Sequence, residues 1–108
     1  MYTVRYHEEA EKEANDLPIK IKVKYDRIVQ KMELNPHILR EPDTKPLGDG
    51  LFELRTMGND IARGLWVYHK GKTIYMLRIF IKKSQKTPKT EFEIAKARLQ
   101  EILNNENA

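Results

Sequence analysis

Tyr2, Val4 and Tyr6 alternate with Thr3 and Arg5 at the start of the chain, the period-two pattern of a strand with one buried face. The period then changes. His7 to Leu17 is rich in Glu and Ala and stops before Pro18, which predicts a first helix. Ile21, Tyr25, Ile28 and Met32 recur at spacings of four, three and four, so Ile19 to Asn35 is predicted as a second helix, stopped at Asn35-Pro36. The short Leu17-Pro18 link makes these two an antiparallel helical hairpin. Pro36, Pro42, Pro46, Gly48 and Gly50 mark Pro36 to Gly50 as loop. Three strands follow: Leu51 to Thr56, Ile61 to His69, and Thr73 to Lys83. Their joins, Met57-Gly58-Asn59-Asp60 and Lys70-Gly71-Lys72, are tight turns, so the three form an antiparallel meander. Thr87 and Pro88 open a last helix that runs to about Asn105 on a stripe of Phe92, Ala95, Leu99, Ile102 and Leu103. The order β-α-α-β-β-β-α describes one α+β domain over residues 1–108, with its helices packed on one face of the sheet.

Alternation also sorts the strand residues by face. In the last strand Tyr75, Leu77, Ile79 and Ile81 share the core side, while Met76, Arg78, Phe80 and Lys82 share the other. Phe52 and Leu54 oppose Glu53 and Arg55, and Arg63 is out of phase with Gly64, Trp66 and Tyr68. With Trp66 and Tyr68 turned to the helices, the open face carries Arg55, Arg63, Arg78, Phe80 and Lys82, rimmed by Lys83 and Lys86. A bulge in any of these strands scrambles that assignment.

Charge sharpens the picture. The net charge of +4 is modest, but residues 45–90 hold ten Lys or Arg against three Asp or Glu, a balance of +7. Residues 1–44 hold eight cations against nine anions, and residues 91–108 two against four. A basic patch concentrated on a sheet is a nucleic-acid signal. A length of 108 residues favours one core. The absence of cysteine excludes disulfides, thiolate chemistry and Cys-based zinc sites. No apolar run approaches the roughly 20 residues that span a bilayer, and Met1 to Tyr6 lacks the apolar centre of a signal peptide. The expectation is a soluble cytoplasmic protein without a membrane partner.

Strand cations are ordinarily just solvated. As a set, however, four cations and one ring with Glu53 as the only counter-charge repel one another unless an anion visits. A ring flanked by cations suits single-stranded RNA, with a stacking platform beside phosphate clamps. Other groups point to structure. His7, His37 and His69 are scattered, no His/Asp/Glu spacing suggests a metal site, and no cofactor motif appears. Glu8, Glu9, Glu11 and Glu13 read as solvated carboxylates that compensate a helix dipole, and Trp66 reads as core.

Phe52-Glu53-Leu54-Arg55, then Arg63-Gly64-Leu65-Trp66-Val67-Tyr68, then Phe80-Ile81-Lys82-Lys83-Ser84-Gln85-Lys86-Thr87-Pro88, followed by Glu93-Ile94-Ala95-Lys96-Ala97-Arg98-Leu99, resembles the phage-derived HigB-like branch of the RelE/ParE toxin superfamily. The resemblance spans nearly the whole chain. It implies a RelE-like fold and the toxin of a type II toxin–antitoxin pair, an endoribonuclease that cleaves mRNA, commonly on the translating ribosome. It also implies a neutralising helix-turn-helix antitoxin of the HigA type. One departure stands out: the best-known RelE-type enzymes use a Tyr or His near the C-terminus, and after Arg98 this chain has neither.

RNA can be cut without metal when the ribose 2′-OH attacks the adjacent phosphate. Arg55 and Arg63 suit charge stabilisation of the phosphate. Lys82 and Lys83, crowded by cations, suit proton transfer. Arg78, Phe80 and Lys86 suit RNA binding. Arg63→Ala or Lys82→Ala is expected to abolish growth inhibition with the fold intact. The rivals are a ParE-like toxin acting on DNA gyrase and a non-catalytic module docking on RNA or ribosomes. Codon preference, the division of labour between the lysines, and oligomeric state are not legible.

Overall fold

The N-terminal alternation is realised as strand β1 (Thr3–Tyr6), with Tyr2, Val4 and Tyr6 packed against the interior. The computed structural model describes residues 1–81 and 86–106. His7 caps helix α1 (Glu8–Asn15), its Nδ1 accepting from the Glu9 backbone N–H at 3.0 Å, and Glu8, Glu9 and Glu11 set negative charge at the positive helix end. Helix α2 (Ile19–Leu34) buries Tyr25, Ile28 and Met32, the stripe seen in the sequence. Asn35 stops it, its side chain accepting from the His37 N–H at 3.0 Å.

The stretch expected as loop holds a 3₁₀ turn (Pro36–Ile38) and strand β2 (Thr44–Gly48). Pro46 disguised this strand. β2 lies at the sheet edge, and an edge strand has donors that no neighbour uses, so a proline is tolerated there. β2 turns into β3 (Leu51–Arg55) through Gly48, Asp49 and Gly50, all with positive φ (101°, 55° and 80°), a path that glycine adopts without a Cβ penalty. β4 (Ala62–His69) and β5 (Thr73–Ile81) complete the expected meander. The sheet order is β1-β5-β4-β3-β2, with β1 parallel to β5, and helix α3 (Lys89–Glu106) follows.

Helices cover both faces of this sheet, not one. α1 and α2 pack on Leu54, Ala62, Trp66, Ile74, Met76 and Ile79. On the other side α3, through Phe92, Ala95, Leu99 and Ile102, covers Leu51, Leu65, Val67, Leu77 and Phe80. The apolar residues of β3 and β4 fall at both parities, which is how a strand buried on two sides reads. Among the described residues no helix is long and apolar enough to cross a membrane.

A bulge interrupts the β4–β5 register. Leu65 pairs with Arg78 but Trp66 pairs with Met76, leaving Leu77 as the extra residue. The alternation therefore flips: Met76 and Ile79 share one face, Leu77 and Phe80 the other. β1 pairs with β5 only as far as Tyr6↔Met76. Beyond that point Glu13 of α1 takes the partner's place, accepting from the Ile79 N–H at 3.0 Å, while Arg98 of α3 donates to the Leu77 carbonyl at 3.0 Å.

Gly64 sits under this packing. A Cβ there would lie 2.9 Å from Met76 Sδ and 3.7 Å from the Tyr25 ring. Gly64→Ala is expected to cost about 1–3 kcal/mol through overpacking, read as a lower urea midpoint with unchanged slope. An unchanged midpoint shows that Met76 has room to move.

Candidate nucleic-acid interface

Strand pairing sets Arg55 directly opposite Arg63. Two like charges face to face across an antiparallel pair are unfavourable, and the resolution is Glu53. Its Oε1 lies 3.7 Å from Arg55 Nε, and its Oε2 lies 3.7 Å from Arg63 Nη1. The Thr87 hydroxyl, just before α3, donates to the same Oε2. Glu53 and Arg63 are each only 1% exposed, whereas the Arg55 side chain retains 17% and reaches the surface. Buried charges persist only when compensated, so the Glu53 carboxylate holds the two guanidiniums in place. Burial draws the Arg63 guanidinium below its ordinary value; Glu53 works against that and Arg55 adds to it. Arginine's pKa is high enough that it stays a cation.

More cations surround this end of the sheet. Lys45 pairs in register with Glu53. With Leu47, Lys86, Thr87, Lys89 and Phe92 it lines a cavity of about 330 Å³ beside the start of α3. Lys86 is exposed there, where the sequence places an RNA contact. A phosphate approaching Arg55 thus enters a positive field.

Two of the predicted RNA contacts are corrected. Phe80 is not an open stacking platform: it is 9% exposed and packs with Leu51, Leu65, Val67, Leu77 and Ala95 under α3. The cover given by α3 is the reason: Phe80 stays opposite Arg63, on the face the alternation assigns to it, but α3 closes that face. Arg78 is not an open phosphate clamp either. Its guanidinium donates to Glu13, and to both oxygens of Glu91 at 3.2 Å. Burial disfavours its charge, but the hydrogen bond to Glu91 and the charge of Glu13 outweigh that and hold its pKa above the ordinary value. Lys82 and Lys83 lie outside the described residues.

Glu13 is corrected as well. It is not a solvated dipole partner but the junction of α1, β5 and α3, bonded to Arg78, to both terminal nitrogens of Arg98 (2.8 and 2.9 Å) and to the Ile79 N–H. His7 and His69 serve structure. His7 Nε2 donates to Glu101 at 3.1 Å, since its Nδ1 accepts elsewhere, and His69 pairs with Glu106 at 2.8 Å; both bonds tie the C-terminal half of α3 to the sheet. Trp66 is core, as expected. Among the described residues no three His, Asp or Glu side chains gather where they could share a metal ion.

Sequence reasoning missed Lys45 and Lys89 as members of this surface. Lys45 was hidden with β2 by the surrounding prolines. Lys89 looks like any exposed residue in a first helical turn, and only the placement of the start of α3 beside Lys45 and Leu47 of β2 brings it in.

Residues 12–100 match the family Phage derived protein Gp49-like (DUF891), and the chain belongs to it. None of the curated proteins matches the chain. Its fold is similar to that of a chain in the toxin–antitoxin complex RelBE2 from Mycobacterium tuberculosis, at 24% identity and a TM-score of 0.57 over 75% of this chain and 98% of that one. It is similar too to a chain of the archaeal RelE–RelB complex from Pyrococcus horikoshii OT3, at 22% identity and a TM-score of 0.54 over 72% and 91% of the two chains. At such identities the likeness is one of fold, and the expected RelE-like α+β fold is established by it.

Proposed function

We propose that this Gp49-like protein is the toxin of a type II toxin–antitoxin pair, of the HigB-like kind, and that it cuts mRNA on the translating ribosome in the cytoplasm. The observation that carries the reading is the cross-strand Arg55–Arg63 pair oriented by the buried Glu53, opening onto the Lys45, Lys86 and Lys89 surface. The fold shared with chains of two toxin–antitoxin complexes supports it. The partner it implies is a helix-turn-helix antitoxin of the HigA type that covers this cationic end.

The chemistry needs no metal or cofactor. The ribose 2′-oxygen bonds to the adjacent phosphorus as its proton passes to a base. The P–O5′ bond breaks, and an acid protonates the departing 5′-oxygen. The products are a 2′,3′-cyclic phosphate and a 5′-hydroxyl. Arg55, which reaches solvent, stabilises the charge gathering on the phosphoryl oxygens. Arg63, buried behind it, fixes Glu53 and so the attitude of Arg55, and its charge adds to the field. Lys82 and Lys83, next in the chain after β5, are the proton-transfer candidates by residue type.

Primer extension on RNA from cells expressing the protein tests this. Discrete cuts inside translated codons are expected, and they disappear with Arg55→Ala. Intact mRNA with double-strand DNA breaks assigns the protein to gyrase poisoning instead. Intact mRNA with stalled ribosomes assigns it to binding alone.

A further inference from the structure

On the sheet face opposite Glu53, at the β2 edge, five rings meet. Phe52 stacks on Trp66 (centroids 4.6 Å apart, planes at 19°), and Tyr68 stands edge-on to both at 5.5 and 5.1 Å. His37 stacks on Tyr68 at 5.7 Å, and Tyr2 closes the group edge-on to His37 and Tyr68. His37, Phe52, Trp66 and Tyr68 line a cavity of about 310 Å³, with Arg40 and Lys45 as its cations and Glu41 as its one carboxylate. That size lies at the lower end of small-molecule sites, roughly 300–1,000 Å³.

Two features point to a ligand. Trp66 is 1% exposed and its indole Nε1 is buried without a protein acceptor among the described residues; a buried donor of this kind calls for an acceptor. Tyr68, by contrast, is 38% exposed, a large ring left at the mouth of the cavity. Rings for stacking and two cations for a phosphate together match one nucleotide. Lys45 also lines the cavity that holds Lys86, Thr87 and Lys89, so the two cavities meet across the edge strand β2.

We propose that the aromatic cavity of His37, Phe52, Trp66 and Tyr68 is a subsite for one unstacked nucleotide of the RNA strand, whose backbone crosses β2 at Lys45 on its way to Arg55. This rests on the RNA-cutting reading above. It gives an edge strand a role in holding substrate, and it supplies the stacking surface that Phe80 does not.

Trp66 is the chain's sole tryptophan, so its fluorescence reports on this cavity. The full chain is titrated with a single-stranded 2′-O-methyl RNA hexamer, which 2′-OH attack cannot cut, and with 5′-AMP. Saturable quenching by both is expected, with none from inorganic phosphate. Tyr68→Ala weakens binding about tenfold, the loss of one stacked base, and Tyr68→Phe restores it; Lys45→Ala weakens the hexamer more than 5′-AMP. A flat titration, a quench reproduced by phosphate alone, or a quench by an acidic peptide with no response to RNA overturns the proposal. Cleavage without quenching removes this inference and leaves the nuclease reading standing. Quenching without cleavage removes the nuclease reading and leaves a nucleotide-binding cavity.

Discussion

Arg63→Ala is expected to lower stability by about 3–5 kcal/mol, because it strands the Glu53 carboxylate in the interior without the buried member of its pair. The expectation from sequence, lost toxicity with an intact fold, is therefore revised for this residue. Growth inhibition is lost, but the variant is unfit to assign a role. The informative comparison uses two further proteins. Arg55→Ala removes the guanidinium that reaches solvent and leaves Glu53 held by Arg63 and Thr87. It is expected to lower cleavage by about 10²–10³, the effect of losing one charge-stabilising donor, with a urea midpoint close to that of the parent. The double variant Glu53→Leu with Arg63→Met replaces the buried ion pair by apolar side chains of similar size, which is often nearly neutral for folding; it regains most of the midpoint lost in Arg63→Ala but stays impaired in cleavage. Recovery of cleavage along with stability makes Arg63 purely structural.

Glu13→Ala is expected to cost about 1–3 kcal/mol, the penalty for leaving partly buried hydrogen-bonding groups and charges without their shared partner. Arg78 and Arg98 lose their shared carboxylate, and the Ile79 N–H loses its acceptor past the end of β1. The pH dependence follows. Burial by itself raises the Glu13 carboxyl pKa, but the bonds from Arg98 and the Ile79 N–H and the charge of Arg78 outweigh it and hold the folded value below the ordinary one. A depressed folded pKa gives stability that is complete above the unfolded value, near pH 4.3, and is lost as pH falls from there through the folded value. Urea midpoints at pH 7 and pH 3 check both points. The parent loses stability over that range, and Glu13→Gln shows a shallower loss. Equal slopes in the two proteins show that other carboxylates govern the acid limb.

Helical stripes and the short turns of the meander were legible because each is a local pattern. Tyr25, Ile28 and Met32 are buried as the spacing requires, and Tyr2, Val4 and Tyr6 face inward. The arginine pair at residues 55 and 63 was also legible, since the turn between β3 and β4 fixes the register. Three features were not. β2 was masked by Pro46, whose cost depends on whether a strand is central or at an edge, which is a fact of assembly. The Leu77 bulge takes Met76 off the face that Arg78 and Phe80 share with Arg63 and puts Leu77 on it, and no residue in β5 announces it. The placement of α3 on the second face depended on giving weight to Leu51, Leu65 and Val67, apolar residues out of phase with Leu54 and Trp66. Glu13 shows the same limit, because its partners lie 65 and 85 positions away in the chain.

The central claim concerns a ribose hydroxyl meeting Arg55, and one substitution in the RNA reaches it directly. Ribosomes carrying a defined mRNA are incubated with the purified protein, the cut is mapped, and the experiment is repeated with a single 2′-deoxynucleotide on the 5′ side of the mapped bond. Loss of cutting at that bond alone, with 2′,3′-cyclic phosphate ends on the unmodified transcript, is the predicted result. Undiminished cutting at the deoxy position, or ends bearing a free 3′-hydroxyl, contradicts it.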